Sequence, residues 1–376
     1  MPTRPRCWTD PLTVAPRESI AAARPVVHGG LDPRELEQLG LRAEDVADFS
    51  VSTNPLGPSP AALAAARRVD LARYPDRSCG ALRRALAAHL AVDEDELLIG
   101  NGSAELIWLL ALAYLRPGDR AFVLEPTFGE YAAAARLLGA ELTEWRAAAR
   151  DDFRIDVGAA AAAIQQARPR LAFVCNPNNP TGRWLTRADL EQLLEGLGGG
   201  LLVVDEAYLE LAGQDSPALS LMGSDRLVLL RSMTKDYGLA GLRLGYAIAS
   251  RAIVQVLAAA QPPWSVNAAA QAAGLAALAD PEHVAAGRRA AAEARAHLAP
   301  RLAALGYRSL PSTANFWLVE VGDAAGLRAR LLRHGTVVRD CTSFGLPGHI
   351  RLAARPRPEC DRLLAALEAL TGVAGR

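Results

Sequence analysis

The sequence predicts an α/β protein: a large domain built on a mostly parallel sheet, followed by a smaller α+β domain. Three observations carry that expectation. From about Arg67 to Ile248, apolar β-capable runs alternate with alanine-rich helical patterns, the order that places helices on both faces of a parallel sheet. The alternation stops at Gln261-Pro262-Pro263-Trp264, a break that no helix or strand crosses easily. Beyond it, a long Ala/Arg/Glu-rich helical stretch leads into a second group of short strand-like runs. The expected division is an N-terminal arm and segment over residues 1–60 that packs on the small domain, a large domain over 61–262 and a small domain over 263–376. No internal repeat is found, and 376 residues suffice for two or three domains.

The elements follow in order. Residues 1–24 carry Arg4, Arg6, Arg17 and Arg24 but no long apolar core before a cleavage site, so they read as a poorly ordered arm rather than a secretory signal. The strand Leu97 to Ile99 leads through Gly100-Asn101-Gly102-Ser103-Ala104-Glu105 into the apolar run Leu106 to Leu115. That run is far shorter than the roughly 20 residues of a membrane span, so it reads as a buried helix. Strands are expected at Ala121 to Leu124, Leu171 to Val174, Leu201 to Val204, Leu227 to Leu230 and Leu244 to Ile248, with a helix at Ala159 to Ala167. After the break come one or two helices over Asn267 to Leu305. Strands at Phe316 to Glu320, Thr336 to Arg339 and Ile350 to Ala353 and a closing helix at Glu359 to Leu370 complete the layout.

Composition excludes several classes. The 41 basic and 41 acidic residues cancel, so no surplus charge points to nucleic acid or a membrane surface. The cysteines (Cys7, Cys79, Cys175, Cys341, Cys360) are odd in number and lack C-x-x-C spacing, which argues against a disulfide scaffold or a zinc site. A reducing cytoplasm and no metal are expected.

The chemistry collects after strands. Lys235, the only lysine of the chain, stands in Ser232-Met233-Thr234-Lys235-Asp236-Tyr237-Gly238, just past a buried strand, with Arg243 eight residues on. Ligands of α/β proteins bind at such strand ends. Arginine stays protonated and delocalised, whereas a desolvated lysine can be neutral and attack a carbonyl. Hydroxyls at Ser232 and Thr234, glycines at 238 and 241 and the Arg243 guanidinium describe an anion pocket beside that amine. Asp205, at the end of the apolar run Leu201 to Val204, costs energy there unless it meets a cation such as a protonated pyridine, although alone it reads equally as a helix cap. Asn176-Pro177-Asn178-Asn179-Pro180-Thr181-Gly182 reads alone as a turn and, beside Asp205 and Lys235, as a fixed donor at Asn179. The Gly100-Asn101-Gly102 turn lacks the last glycine of G-x-G-x-x-G and the Lys-Ser/Thr of a P-loop, so a single phosphate suits it better than a nucleotide.

Together these segments resemble the fold-type I pyridoxal-phosphate enzymes of the aspartate aminotransferase superfamily, close to the histidinol-phosphate aminotransferases. The resemblance runs from His28 to the C-terminus on four ordered motifs: Gly100-Asn101-Gly102, Asn179-Pro180-Thr181-Gly182, Asp205-Glu206-Ala207-Tyr208, and Lys235 with Arg243. It implies pyridoxal 5'-phosphate as cofactor, Lys235 in Schiff-base linkage to it and Asp205 paired with the pyridine nitrogen. It further implies Asn179 and Tyr208 on the phenolic oxygen, Phe128 stacked on the ring, and Gly102, Ser103, Ser232 and Arg243 on the phosphate. Tyr74 would reach that phosphate from a second subunit, so a homodimer is implied.

The ends of the chain resemble the cobalamin-pathway L-threonine-O-3-phosphate decarboxylases. The shared segments are His28-Gly29-Gly30, Asp48-Phe49-Ser50, Asn54-Pro55-Leu56-Gly57-Pro58 and Arg339-Asp340-Cys341-Thr342-Ser343-Phe344-Gly345-Leu346-Pro347, followed by Ile350-Arg351-Leu352. By that resemblance His28, Asn54, Arg339 and Arg351 bind the phosphate and carboxylate of a small phosphorylated amino acid, chemistry that fixed guanidiniums suit. One departure concerns substrate: Ser52 stands where that family often has an amide. The expected activity is decarboxylation of threonine phosphate or a similar compound to (R)-1-amino-2-propanol phosphate. The alternative is an aminotransferase of the histidinol-phosphate type. A noncatalytic pyridoxal-phosphate regulator is disfavoured because the 24-residue arm is too short for a helix-turn-helix domain.

Overall fold

A computed structural model describes residues 14–372. Of the arm expected over residues 1–24, the first 13, with Arg4, Arg6 and Cys7, lie outside the described residues. The remainder does not trail away: it forms a short helix, Glu18–Ala21, whose Ser19 hydroxyl donates to the Leu137 carbonyl at 2.8 Å.

A short strand β1 (Ala47–Asp48) precedes the seven strands of the large sheet. These are β2 (Leu97–Gly100), β3 (Arg120–Glu125), β4 (Glu141–Arg146), β5 (Leu171–Cys175), β6 (Leu201–Asp205), β7 (Leu227–Ser232) and β8 (Gly245–Ala249), in the order β2-β8-β7-β6-β5-β3-β4. Every pairing is parallel except those of β8, which runs antiparallel to both β7 and β2. The central strands are apolar along their length because both faces are covered, and alternate residues enter different cores. Phe122, Ala172, Val174, Val204 and Leu229 face one core; Val123, Phe173, Val203, Val228 and Leu230 face the other. Helix Gly102–Tyr114 covers the second face and was expected from its apolar run.

β4 was not expected. Its sequence, Glu141-Leu142-Thr143-Glu144-Trp145-Arg146, is polar because the strand sits on the sheet edge and none of its residues is buried. The helical stretch after the break is two helices, Ala268–Leu278 and Pro281–Ala304, separated where Asp280 caps the second by accepting from the His283 amide.

The C-terminal strands are β9 (Arg308–Ser309), β10 (Phe316–Glu320), β11 (Thr336–Val337), β12 (Arg339–Asp340) and β13 (His349–Ala353). The run Thr336 to Arg339, expected as one strand, divides: β11 pairs in parallel with β1, whereas β12 joins an antiparallel sheet in the order β12-β13-β10-β9. Ala47 and Phe49 pack among Leu298, Trp317, Leu331 and Leu352, so the segment after the arm shares the C-terminal core. Among the described residues no helix is long and apolar enough to cross a membrane.

Candidate active site

The carboxyl ends of β2, β3, β5, β6 and β7 lie on one edge of the large sheet, where antiparallel β8 begins: Gly245 is the register partner of both Gly100 and Ser232. The loops leaving those ends enclose a cavity of about 910 Å³. Lys235, on the short helix Met233–Asp236 after β7, stands in its wall. Burial, reinforced by repulsion from the Arg351 and Arg243 guanidiniums, lowers its ammonium to about 8. The neutral amine, the form that a carbonyl nucleophile needs, is therefore about a tenth of molecules at pH 7, far more than for an ordinary lysine.

Beside the lysine is an anion cradle. Ser103 and Ala104, in the first turn of helix Gly102–Tyr114, line the cavity and face Arg243 across it. Gly102 sits behind with φ +77°, and a Cβ there would lie 2.7 Å from Arg243 Nη2, so the guanidinium needs the missing side chain. Ser232 does not reach the wall; its hydroxyl bonds that of Thr234 at 2.6 Å, and Thr234 presents the oxygen. Amides of a helix start, a guanidinium and hydroxyls are a donor set suited to a phosphate monoester.

Asp205, at the end of β6, accepts from the Tyr131 hydroxyl at 2.8 Å and the Ala207 amide at 3.0 Å. Burial raises its carboxyl to about 6, a cost that a cationic ring nitrogen would offset. Tyr131 escaped the sequence reading, although Phe128-Gly129-Glu130-Tyr131 signals two aromatics one turn apart. Its ring stacks on Phe173 at 5.2 Å, and Phe128 meets its edge at 5.6 Å while lining the cavity. Asn179 accepts a short hydrogen bond from Arg351 Nη1. Because a guanidinium only donates, the amide oxygen must face Arg351, which turns Nδ2 to the cavity as a donor. Tyr208 lines the same wall with its ring edge-on to Phe316 at 4.8 Å, and burial pushes its phenol above the ordinary value, so the hydroxyl keeps its proton.

On the C-terminal side, Arg339 and Arg351 are directly paired across β12 and β13, and both are buried. Arg339 Nη2 donates to Val27 O at 2.6 Å and Ser343 Oγ at 2.7 Å. Arg351 Nη2 donates to Ser50 O at 2.8 Å, while its Nε is buried without a partner. Neither has a carboxylate within ion-pair distance among the described residues, in contrast to buried Arg231, which meets Glu206 at 2.8 Å and Glu210 at 3.2 Å. Two guanidiniums opposite each other on a ladder repel, and burial followed by Arg351 lowers Arg339 below the usual range. The arrangement calls for an anion.

His28 lines the cavity with its ring 5.6 Å from Phe128, and its Nε2 donates to Glu130 at 2.8 Å, a carboxylate that also accepts from Trp108 Nε1 at 3.1 Å. Ser52 reaches the wall with its hydroxyl buried and unpartnered. Of the expected residues, Gly102, Asp205 and Ser232 stand behind the wall without lining it, and Asn54 and Tyr74 are turned to other partners. Asn54 spends its amide on the Asp236 carbonyl and the Leu56 amide behind Lys235, because its loop turns inward there. Tyr74 is 80% exposed and stacks on Trp264 at 4.6 Å, outside this chain's cavity.

Residues 44–367 match the model of the family described as aminotransferase class I and II. The chain belongs to that family. This aminotransferase-family chain is 41% identical over 362 residues to a histidinol-phosphate aminotransferase of Symbiobacterium thermophilum, an alignment covering 95% of this chain and 98% of that protein. The crystal structure of histidinol-phosphate aminotransferase from Sinorhizobium meliloti in complex with pyridoxal-5'-phosphate is similar with a TM-score of 0.85 at 26% identity, covering 96% of this chain and all 100% of that one. The structure of L-threonine-O-3-phosphate decarboxylase from Porphyromonas gingivalis is also similar, with a TM-score of 0.76 at 26% identity over 87% of this chain and 100% of the other. The protein is a pyridoxal-phosphate enzyme of the aminotransferase class, and the donor set of the cavity fits that cofactor.

Proposed function

We propose that the protein transaminates a small phosphorylated amino compound, with histidinol phosphate as the first candidate. The reaction type is carried by the nearly full-length 41% identity to a histidinol-phosphate aminotransferase, which favours this reading over the decarboxylation expected from the chain ends. The charge of the substrate is carried by geometry: Arg339 and Arg351 are buried, adjacent and, among the described residues, without a carboxylate.

In this reading Ser103, Arg243 and Gly102, with Thr234 backed by Ser232, would hold the cofactor phosphate. Asn179 Nδ2 and the Tyr208 hydroxyl would donate to the phenolic oxygen, Asp205, which accepts from Tyr131, would pair with the ring nitrogen, and Phe128 would pack on the ring. Lys235 Nζ would hold the cofactor through its aldehyde. When bound, the pyridoxal ring supplies an electron sink for the bond broken at the substrate Cα. Arg339 and Arg351 orient the substrate through its anionic group, and Phe128 and Tyr208 exclude water. Lys235 Nζ, once free and neutral, takes the Cα proton as general base. A homodimer is part of the proposal: Leu71, Tyr74 and Trp264 are exposed by 88%, 80% and 45%, an apolar surface suited to a second copy.

A second reading, decarboxylation, rests on the motifs at the chain ends and on a likeness to the threonine-phosphate decarboxylase, with a TM-score of 0.76, that is weaker than the 0.85 to the aminotransferase. One assay separates them. The holoenzyme is incubated with histidinol phosphate or threonine phosphate, with and without a 2-oxo acid. Amino-acid formation from the 2-oxo acid only with histidinol phosphate supports transamination. Carbon dioxide released from threonine phosphate without an acceptor would overturn it.

A further inference from the structure

Behind the cavity, the loop 50–58 joins the lysine turn to the C-terminal elements, and Asn54 is its most constrained residue. Its main-chain N–H donates to the Lys235 carbonyl at 2.8 Å, and its Nδ2 donates to the Asp236 carbonyl at 3.1 Å. Its Oδ1 accepts from the Leu56 amide at 3.0 Å. The side chain is 1% exposed and presses on helix Pro281–Ala304 at Gly287, where a Cβ would collide with the amide. The same loop is gripped from the C-terminal side: Arg351 donates to Ser50 O at 2.8 Å, Asn315 Nδ2 to Thr53 O at 3.0 Å and His283 Nε2 to Gly57 O at 2.9 Å.

We infer that Asn54 is a positioning residue that holds the Lys235 main chain in a fixed relation to the Arg351-bearing sheet, an inference resting on Lys235 being the cofactor-bearing lysine. Only an amide serves here, because one end must donate to a carbonyl and the other accept from an N–H. Alanine would leave the Asp236 carbonyl and the Leu56 amide without partners, and aspartate would set a charge against a carbonyl. One path from Arg351 to Lys235 runs through Ser50 and Asn54, beside the direct contact of Arg351 with Asn179, so Asn54 ties the main chain of the lysine to the guanidinium that faces the substrate.

The experiment compares holoenzyme of the wild type, Asn54→Ala and Gly287→Ala by pH titration of the visible band of the lysine-bound cofactor, steady-state kinetics and thermal melting. Asn54→Ala should retain the band with its pH midpoint moved upward, since a loosened lysine gains water and leaves Arg351 and Arg243. Its kcat should fall on the order of ten- to a hundredfold, with KM changed by less than about threefold. Gly287→Ala should shift the midpoint and kcat in the same direction with Asn54 still present. Alanine is the better helix former, so such a loss would come from the contact and not from the helix. If Asn54→Ala does not fold, Gly287→Ala decides. A lower melting temperature with midpoint and kcat unchanged in the folded variants would overturn the inference. A band that survives in Lys235→Ala would instead overturn the reading of Lys235 itself.

Discussion

At Lys235 two effects act in the same direction: burial removes water from the ammonium, and Arg351 and Arg243 repel it, bringing it to about 8. The neutral form is the nucleophile, and its fraction rises with pH through that value. Uptake of pyridoxal phosphate by the apoprotein should therefore accelerate from pH 6 and level off above about pH 8, measured as growth of the visible band. A rate that is flat over that range would contradict the argument. Asp205 offers a second test. Tyr131→Phe removes one of its two donors, so the carboxyl should move further up and pair less well with a ring nitrogen. kcat should fall roughly tenfold, with a larger deficit at pH 6 than at pH 8, as expected for loss of one hydrogen bond to a charged group; equal kcat at both pH values would rule out the role. Asp205 was legible in the sequence because a carboxylate closing an apolar run is costly. Tyr131 was not, because the contact joins residues 74 positions apart.

Among the elements, the start of helix Gly102–Tyr114 tolerates little change. Gly102→Ala combines a left-handed backbone, φ +77°, with a Cβ 2.7 Å from Arg243. The guanidinium must move, and the affinity for pyridoxal phosphate should weaken on the order of tenfold in equilibrium titration, as loss of a charge-assisted contact implies. Unchanged affinity would remove Arg243 from the phosphate site. Strands buried on both faces were legible from their apolar runs. The edge strand β4 was not, since half-exposed positions accept polar residues. The division of Thr336 to Arg339 between two sheets was equally hidden, because Thr336-Val337-Val338 reads as one β-branched run into Arg339 and only the strand partners of its two ends differ.

For the whole molecule, the proposed homodimer would link assembly to activity through the exposed Leu71, Tyr74 and Trp264 surface. Trp264→Glu places a charge on that surface and should shift the protein to monomers in sedimentation, with a parallel loss of turnover. A fully active monomer would remove Tyr74 from the site. The cavity is itself a product of the whole chain: the segment after the arm supplies Val27 and His28, the turns leaving the large sheet supply Lys235 and Asn179, and the last strands supply Arg339 and Arg351.

The order of motifs along the chain was enough to indicate the α/β class and the cofactor and to single out Lys235 as a candidate, because each motif is a few contiguous residues after an apolar strand. Contiguity is what a linear pattern records. The partners of those motifs were assigned by three-dimensional packing: Arg339 opposite Arg351 with no carboxylate among the described residues, Tyr131 beside Asp205, and Asn54 turned from the cavity to the main chain of Lys235 and Asp236. A long-range hydrogen bond or a missing counter-ion leaves no periodic trace in sequence, and for that reason the same residues that were visible as candidates acquired their roles only from their neighbours.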